Sequence, residues 1–230
     1  THVWTESAEI FKQELEEQSD GRLTVELFPN SQLGETRDIT QMLNQGTLDF
    51  AYIPTAFLTA NYGELNAWYM PFLFEDVESA IEMATTSEAQ ELLELFSEQG
   101  LVGIDWAFTD NHHVLVESGI LDTPESYEGK KLRAPGTDAI DDLYNELGAS
   151  SVAMPLSEIY TSMQTGVIDG LNASVESVVS NKYYEVANEF TLLNQTAFNS
   201  VIVMSEQTQD KLAEADREIV HAAFTEAVNW

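Results

Sequence analysis

The chain has 230 residues, of which 43% are hydrophobic and 10% aromatic, enough apolar surface for a folded core. Its 40 acidic and 9 basic residues give a formal net charge of -31, so nucleic acid and anionic membrane surfaces would repel it. The acids are scattered along apolar-periodic segments, which indicates solvated helix faces, and we expect a halophilic source in which salt screens their repulsion. Because the chain has no cysteine, disulfides, cysteine-ligated metals and a thiol nucleophile are excluded.

The first quarter of the chain alternates between helical and extended patterns. Apolar residues at helical spacing predict a helix over residues 7–18, and the polar alternation over residues 23–27 predicts a strand. A second helix is predicted for residues 36–44, followed by a short buried strand at residues 50–53. This alternation is typical of α/β lobes with largely parallel sheets.

The middle of the chain repeats the helix-to-strand step. A capping-box pattern at Ser87 predicts a helix start, and Gly100 predicts its end. Residues 101–108 then predict a strand, and Asp110-Asn111 predicts a turn before a further strand at residues 114–116.

A later segment between Pro155 and Gly166 has a helical pattern. Its apolar residues lie at positions i, i+3, i+4 and i+7, namely Leu156, Ile159, Tyr160 and Met163. This spacing predicts one helix face, and core packing is the simplest interpretation of it.

The sequence has none of the spacings that build a nucleophile elbow, a phosphate-binding loop or a zinc site. His112 and His113 are adjacent, and neighbouring side chains on a strand point to opposite faces, so they are poorly placed to share a metal. The pair Asp141-Asp142 is explained as a solvated acidic face. We therefore expect neither catalysis nor a cofactor or metal.

Arg133 lies in a short predicted strand, residues 131–134, just before Pro135-Gly136. Strand ends in α/β folds open into ligand crevices, so this guanidinium is well placed to bind an anion. An exposed cation paired with neighbouring acids is an equally good interpretation from the residues alone.

Several spaced motifs resemble the solute-binding proteins of TRAP (tripartite ATP-independent periplasmic) transporters, and the resemblance covers almost the whole chain. The motifs are Phe28-Pro29-Asn30-Ser31-Gln32-Leu33-Gly34, Leu43-Asn44-Gln45-Gly46-Thr47-Leu48-Asp49, Met70-Pro71-Phe72-Leu73-Phe74, Lys130-Lys131-Leu132-Arg133-Ala134-Pro135, Leu147-Gly148-Ala149, Met154-Pro155-Leu156-Ser157-Glu158-Ile159-Tyr160, Met163-Gln164-Thr165-Gly166-Val167-Ile168-Asp169-Gly170 and Lys182-Tyr183-Tyr184-Glu185-Val186. The run from Met154 to Gly170 is the most specific of them.

The resemblance implies a fold like that of periplasmic binding proteins, with two α/β lobes, a hinge and a ligand cleft between the lobes. It places the first lobe roughly at residues 1–108 plus part of 190–230, and the second at 109–190. It also implies a small organic acid as ligand, the TRAP membrane permease as partner and an extracytoplasmic location, in the periplasm or on the outer cell surface. The alternatives are an ABC-type binding protein and, further away, an α/β hydrolase.

The resemblance also assigns roles in the cleft. Arg133 takes the place of the arginine that contacts a substrate carboxylate, and Asn172 and His112 are expected to orient the ligand. The remaining expected contacts are Phe57, Trp68, Trp106, Phe108, Leu156, Pro54 and Ala173. For each of the four aromatic residues, ordinary core packing is at least as good an interpretation.

Several positions depart from the sialic-acid-type members of that family. Their pocket asparagine falls at Ala173, their second arginine at His112, and an acid and another arginine at Pro54 and Phe57. A ligand hydroxyl buried without a partner costs about 1–3 kcal/mol, so these departures favour a smaller or more apolar acid than a polyhydroxylated sugar acid. By the same resemblance, the chain is expected to be shortened at both ends.

Overall fold

The computed structural model describes residues 2–154 and 156–228. Contacts divide the chain into two compact units, each built from separate stretches of sequence. Unit 1 comprises Thr1–Pro54, Ala84–Ala107 and Ser200–Trp230, and unit 2 comprises Thr55–Met83 and Phe108–Asn199. The sequence-based division placed residues 55–83 in the first lobe, whereas in the structure they pack within unit 2.

Helices and strands alternate along most of the chain. The helices are α1 (Val3–Gln18), α2 (Thr36–Asn44), α3 (Val77–Ala84), α4 (Ser87–Glu91), α5 (Asp138–Glu146), α6 (Leu156–Gln164), α7 (Val175–Ser180), α8 (Glu206–Lys211) and α9 (Glu214–Val228). The strands are β1 (Phe50–Pro54), β2 (Leu101–Val116), β3 (Lys131–Ala134), β4 (Ser150–Ala153), β5 (Gly170–Ala173) and β6 (Glu189–Ser205). Short 3-10 helices lie at Thr55–Phe57, Gly63–Tyr69, Leu92–Gln99, Pro124–Tyr127 and Tyr183–Glu185.

The strands form a mixed sheet in the order β1-β6-β2-β5-β3-β4. Strand β3 is parallel to both β4 and β5, whereas β1 with β6 and β2 with β5 are antiparallel. The α/β class is therefore confirmed, and the expectation of largely parallel pairing holds around β3 but not for these two antiparallel pairs. A Cβ on Gly170 would lie 2.3 Å from the Leu115 carbonyl oxygen, so only glycine allows β5 to approach β2 this closely.

The first predicted elements are confirmed, with one exception. Helix α2 and strand β1 match the predicted segments closely, and α1 ends at Gln18 as predicted but begins at Val3, four residues earlier than expected. Residue 23 lies in a bend and residues 24–27 have no regular secondary structure, so the predicted strand at residues 23–27 was wrong. Alternation alone does not make a strand when no partner offers backbone hydrogen bonds.

The predicted turn at Asp110-Asn111 was also wrong, because β2 runs without interruption from Leu101 to Val116. Aspartate and asparagine favour turns since their side chains bond nearby backbone groups. Here the Asn111 N–H does donate to Asp110 Oδ1 at 2.7 Å, yet the strand continues. Its far end, residues 113–116, pairs with β5. Sheet pairing outweighs the local preference in this segment.

The helix predicted to begin at Ser87 is capped one residue earlier. Thr86 is the N-cap, and its Oγ1 accepts from the Ala89 N–H at 3.4 Å. The helix then tightens into a 3-10 segment that ends at Gly100, whose φ of 71° lies in the left-handed region that favours glycine.

Each unit has its own apolar cluster. In unit 1, α1 and α9 pack with β1, and Phe11 stacks on Phe224 with ring centroids 3.7 Å apart. In unit 2, Ile159 and Met163 of α6 are buried against β5, which confirms that part of the predicted apolar face. Leu156, at the start of the same helix, is 51% exposed. Pro155 lies outside the described residues.

Candidate functional site

Arg133 stands at the edge of the unit 2 sheet where parallel strands end. It pairs in register with Val152 of β4 and Leu171 of β5, so Asn172 follows directly on the neighbouring strand. The carboxyl ends of parallel strands meet at one edge, which is where α/β folds place their ligands.

The Arg133 side chain is only 4% exposed. Its Nε and Nη2 both donate to the Met154 carbonyl oxygen, at 3.4 Å each, which is long for a hydrogen bond. Within residues 2–154 and 156–228, no carboxylate lies at ion-pair distance from the guanidinium. Burial lowers the pKa of Arg133, while the nearby Tyr183 and Tyr144 oppose that shift. The site therefore holds a buried cation whose countercharge is missing from the described residues.

A chain of buried polar side chains leads from His112 to α5. His112 Nδ1 is bonded to Asn172 Oδ1, and Asn172 Nδ2 donates to Gln195 Oε1. The Tyr144 hydroxyl donates to the same Gln195 oxygen at 3.3 Å. Asn172, Gln195 and Tyr144 are at most 1% exposed, and His112 is 6% exposed.

His112 is neutral in this network. Burial lowers its pKa to about 3, the bond to Asn172 opposes the shift, and the positive charge of Arg133 adds to it. The structure places Asn172 Oδ1 against Nδ1, and an amide oxygen only accepts, so this arrangement assigns the proton of the neutral ring to Nδ1. The ring also stacks on Phe198, with centroids 4.4 Å apart and planes at 10°.

The adjacent His113 makes different contacts. Its Nδ1 accepts from the backbone N–H groups of Leu193 and Asn194, at 3.2 Å each. The two histidines thus serve separate networks. Over the described part of the chain, no group of three or more His, Cys, Asp or Glu side chains is placed to hold a metal ion.

The structure brings only some of the predicted site residues together. Arg133, His112, Asn172 and Ala173 lie on neighbouring positions of β2, β3 and β5. Trp68 packs edge-on against Phe108, with ring centroids 5.5 Å apart. Phe57 and Leu156 are 40% and 51% exposed.

The other two predicted contacts lie in unit 1. Trp106 is 3% exposed, and its Nε1 donates to the Ala89 carbonyl oxygen at 3.1 Å, the geometry of a core residue of unit 1. Pro54 pairs with Ser200 at the end of β1.

Sequence reasoning missed Tyr144 and Gln195. Both are 0% exposed and polar, and both join the network next to Arg133. The available signal was a pair of amides, Gln195 and Asn199, four residues apart in the segment that forms β6. Such spacing puts both on one face of β6, but it does not say what that face contacts.

Asn199 belongs to a second buried network in unit 2. Its Oδ1 accepts from the Thr55 and Tyr69 hydroxyls, and the Ala56 N–H donates to Tyr69 Oη at 2.9 Å. Thr55, Tyr69 and Asn199 are all 0% exposed, and burial raises the pKa of Tyr69 above its ordinary value.

Comparison with known proteins gives a family match over the whole length. The model of bacterial extracellular solute-binding protein family 7 (DctP) matches residues 1–230. The C4-dicarboxylate-binding periplasmic protein DctP of Shewanella loihica is 28% identical over 221 residues, 96% of this chain and 65% of that protein. The chain spans about two thirds of the curated relatives it matches, from 62% to 67% for four of them.

Solved structures share the fold. A TRAP periplasmic solute-binding protein from Shewanella oneidensis with bound succinate has a TM-score of 0.91 and 26% identity, covering 99% of this chain and 74% of that one. One from a Polaromonas species bound to D-erythronate has a TM-score of 0.92 and 26% identity, covering 100% of this chain and 76% of that one. These likenesses confirm the predicted fold class. In the described residues, no helix is long and apolar enough to cross a membrane.

Proposed function

Since the chain belongs to bacterial extracellular solute-binding protein family 7, we propose that it captures a small organic acid and delivers it to the membrane permease of a TRAP transporter. The family is one of extracellular binding proteins, which agrees with the predicted location outside the cytoplasm and with the expectation that the chain is not an enzyme. The family match does not favour the ABC-type alternative.

One observation carries the proposal: Arg133 is buried without a carboxylate partner among the described residues. Burying a cation is costly unless a negative charge and hydrogen bonds compensate it. In a chain with 40 acidic residues, this guanidinium is nevertheless kept clear of them. A ligand carboxylate supplies the missing charge.

The shape of the guanidinium suits a carboxylate. Its planar fork makes two parallel hydrogen bonds to the two oxygens of one carboxylate, which an ammonium cannot do. The two weak bonds to the Met154 carbonyl oxygen hold the group in place and leave it able to exchange partners.

The neighbours of Arg133 suit an orienting role. Asn172 and neutral His112 add no charge that would compete for the ligand carboxylate. The solved relatives bound to succinate and to D-erythronate carry acids of this size class. The other predicted contacts remain predictions.

A thermal-shift screen tests the proposed function. We expect small mono- and dicarboxylates, including succinate and D-erythronate, to raise the melting temperature, while neutral sugars and amines leave it unchanged. At about 100 times Kd a ligand adds roughly 2.7 kcal/mol of stability, a shift that such a screen resolves easily. Arg133→Ala is the control that should remove the shift. If a neutral sugar stabilised the protein most, the proposal would be wrong.

We also propose that the protein is adapted to high salt. Its net charge is -31, and the acidic side chains repel one another over a Debye length of about 30 Å in dilute buffer. This length falls to about 3 Å in molar salt. The melting temperature should therefore rise from dilute buffer to molar KCl. Equal melting temperatures in the two conditions would contradict this adaptation.

A further inference from the structure

We propose that Gln195 is a specificity-determining residue that selects acids with an acceptor oxygen next to the carboxylate, as in 2-oxo and 2-hydroxy acids. This inference rests on the proposed function, because it concerns the same ligand. Gln195 lies on β6, so this strand would select the group next to the carboxylate, while Arg133 binds the carboxylate itself.

The first step concerns the direction of the Gln195 amide. Its Oε1 accepts from both Asn172 Nδ2 and the Tyr144 hydroxyl. Asn172 must offer its nitrogen there, because its own oxygen is bonded to His112. With the His112 proton on Nδ1, this chain of bonds assigns the N–H groups of Gln195 to the end of the amide that faces away from Asn172 and Tyr144.

The second step concerns what those N–H groups contact. Gln195 is 0% exposed, and its Nε2 has no hydrogen-bond partner within the described residues. A buried donor left without a partner costs about 1–3 kcal/mol. An acceptor oxygen on the ligand removes that cost, whereas a methylene group at the same place does not.

The third step places this donor close to the ligand carboxylate. Tyr144 contacts Gln195 through its hydroxyl and also lies near the charge of Arg133. Asn172, which donates to Gln195, directly follows the residue of β5 that pairs with Arg133. The acceptor that satisfies Gln195 therefore lies near the carboxylate bound by Arg133. Because Gln195 is fully buried, neighbouring side chains must shift for the ligand to reach it.

Calorimetry with matched ligands tests the inference. The probes are two sets of equal carbon number: propionate, lactate and pyruvate; and glutarate, 2-hydroxyglutarate and 2-oxoglutarate. In the set that binds more tightly, the wild-type protein should bind the 2-oxo and 2-hydroxy acids about 5- to 150-fold more tightly than the unsubstituted acid, the affinity equivalent of one unpaired donor. This ranking requires no variant.

Gln195→Met sharpens the test, since methionine is close to glutamine in length but has neither an N–H donor nor a charge. The variant should lose the preference for the 2-oxo and 2-hydroxy acids. Asn199→Leu is the matched control, because Asn199 is an equally buried amide on β6 whose oxygen is also occupied and whose nitrogen is also unpaired among the described residues. It should leave the ranking unchanged.

Three outcomes would overturn the inference. The wild type could bind all three members of a set equally, Gln195→Met could keep the preference for the 2-oxo and 2-hydroxy acids, or Asn199→Leu could abolish that preference as well. Equal binding of the acids would leave the proposed function standing. Absence of binding by all six acids would overturn the inference, whereas the proposed function is decided separately by the thermal-shift screen with the wider set of acids.

Discussion

The two units use their interiors differently. In unit 1, Phe11 of α1 lies flat on Phe224 of α9, and the residues around them are apolar. Unit 2 has an apolar cluster of its own, but it also buries Arg133, His112 and Gln195. Apolar burial stabilises a fold, while buried charges and amides cost stability unless they are satisfied. The contrast indicates that the interior of unit 1 mainly stabilises the fold, whereas the polar groups buried in unit 2 lower its stability and serve ligand binding.

The largest expected effect is on the unit 1 cluster. Phe224→Ala removes a ring that is 1% exposed and stacked on Phe11, so the free energy of unfolding should fall by about 3–5 kcal/mol. Urea unfolding measures this loss, and calorimetry on the folded protein should show unchanged ligand affinity. If the folded variant bound the ligand much more weakly than the wild type, unit 1 would contribute to binding as well, and the contrast between the two units would not hold.

A smaller effect is expected from His112 in unit 2. Its pKa in the folded protein is about 3, against an ordinary value of 6.5. As the pH falls below 6.5, the unfolded chain takes up the proton first, so the folded state loses stability until the pH reaches about 3. Between pH 7 and pH 5 the loss due to His112 is roughly 2 kcal/mol.

His112→Gln isolates this contribution, since glutamine keeps hydrogen-bonding capacity but does not titrate. Urea unfolding of both proteins at pH 7, 6 and 5 should show a steeper loss in the wild type. The carboxylates titrate in both proteins, so their effect cancels in the difference. Equal pH slopes would mean that His112 is not buried in its neutral form.

The fold was predictable from sequence where a helix ended in a clear local stop. α1 ends just before Asp20-Gly21 and α2 just before Gly46, and the predicted ends of both helices matched, although α1 begins at Val3 and not at Ser7. The turn expected at Asp110-Asn111 failed for the opposite reason, because the pairing of β2 is set by residues distant in sequence. Local preference does not contain that information.

The candidate site was predictable only where local sequence features identify it. Arg133 stands in a motif at a strand end, and both features are visible in the sequence. Gln195 and Tyr144 are brought to it by β6 and α5, whose contacts depend on the folded chain. Their burial and their shared hydrogen bond were therefore beyond sequence reasoning, although the spacing of Gln195 and Asn199 indicated a common face.

The central claim is that Arg133 binds a carboxylate through two parallel hydrogen bonds, and Arg133→Lys tests it most directly. Lysine keeps the positive charge but lacks the planar fork. Calorimetry with the tightest-binding acid, at constant high salt, should show a loss equivalent to about 2–5 kcal/mol, roughly thirty-fold to several thousand-fold in affinity. Near wild-type affinity in Arg133→Lys would contradict the claim and reduce Arg133 to a buried structural cation.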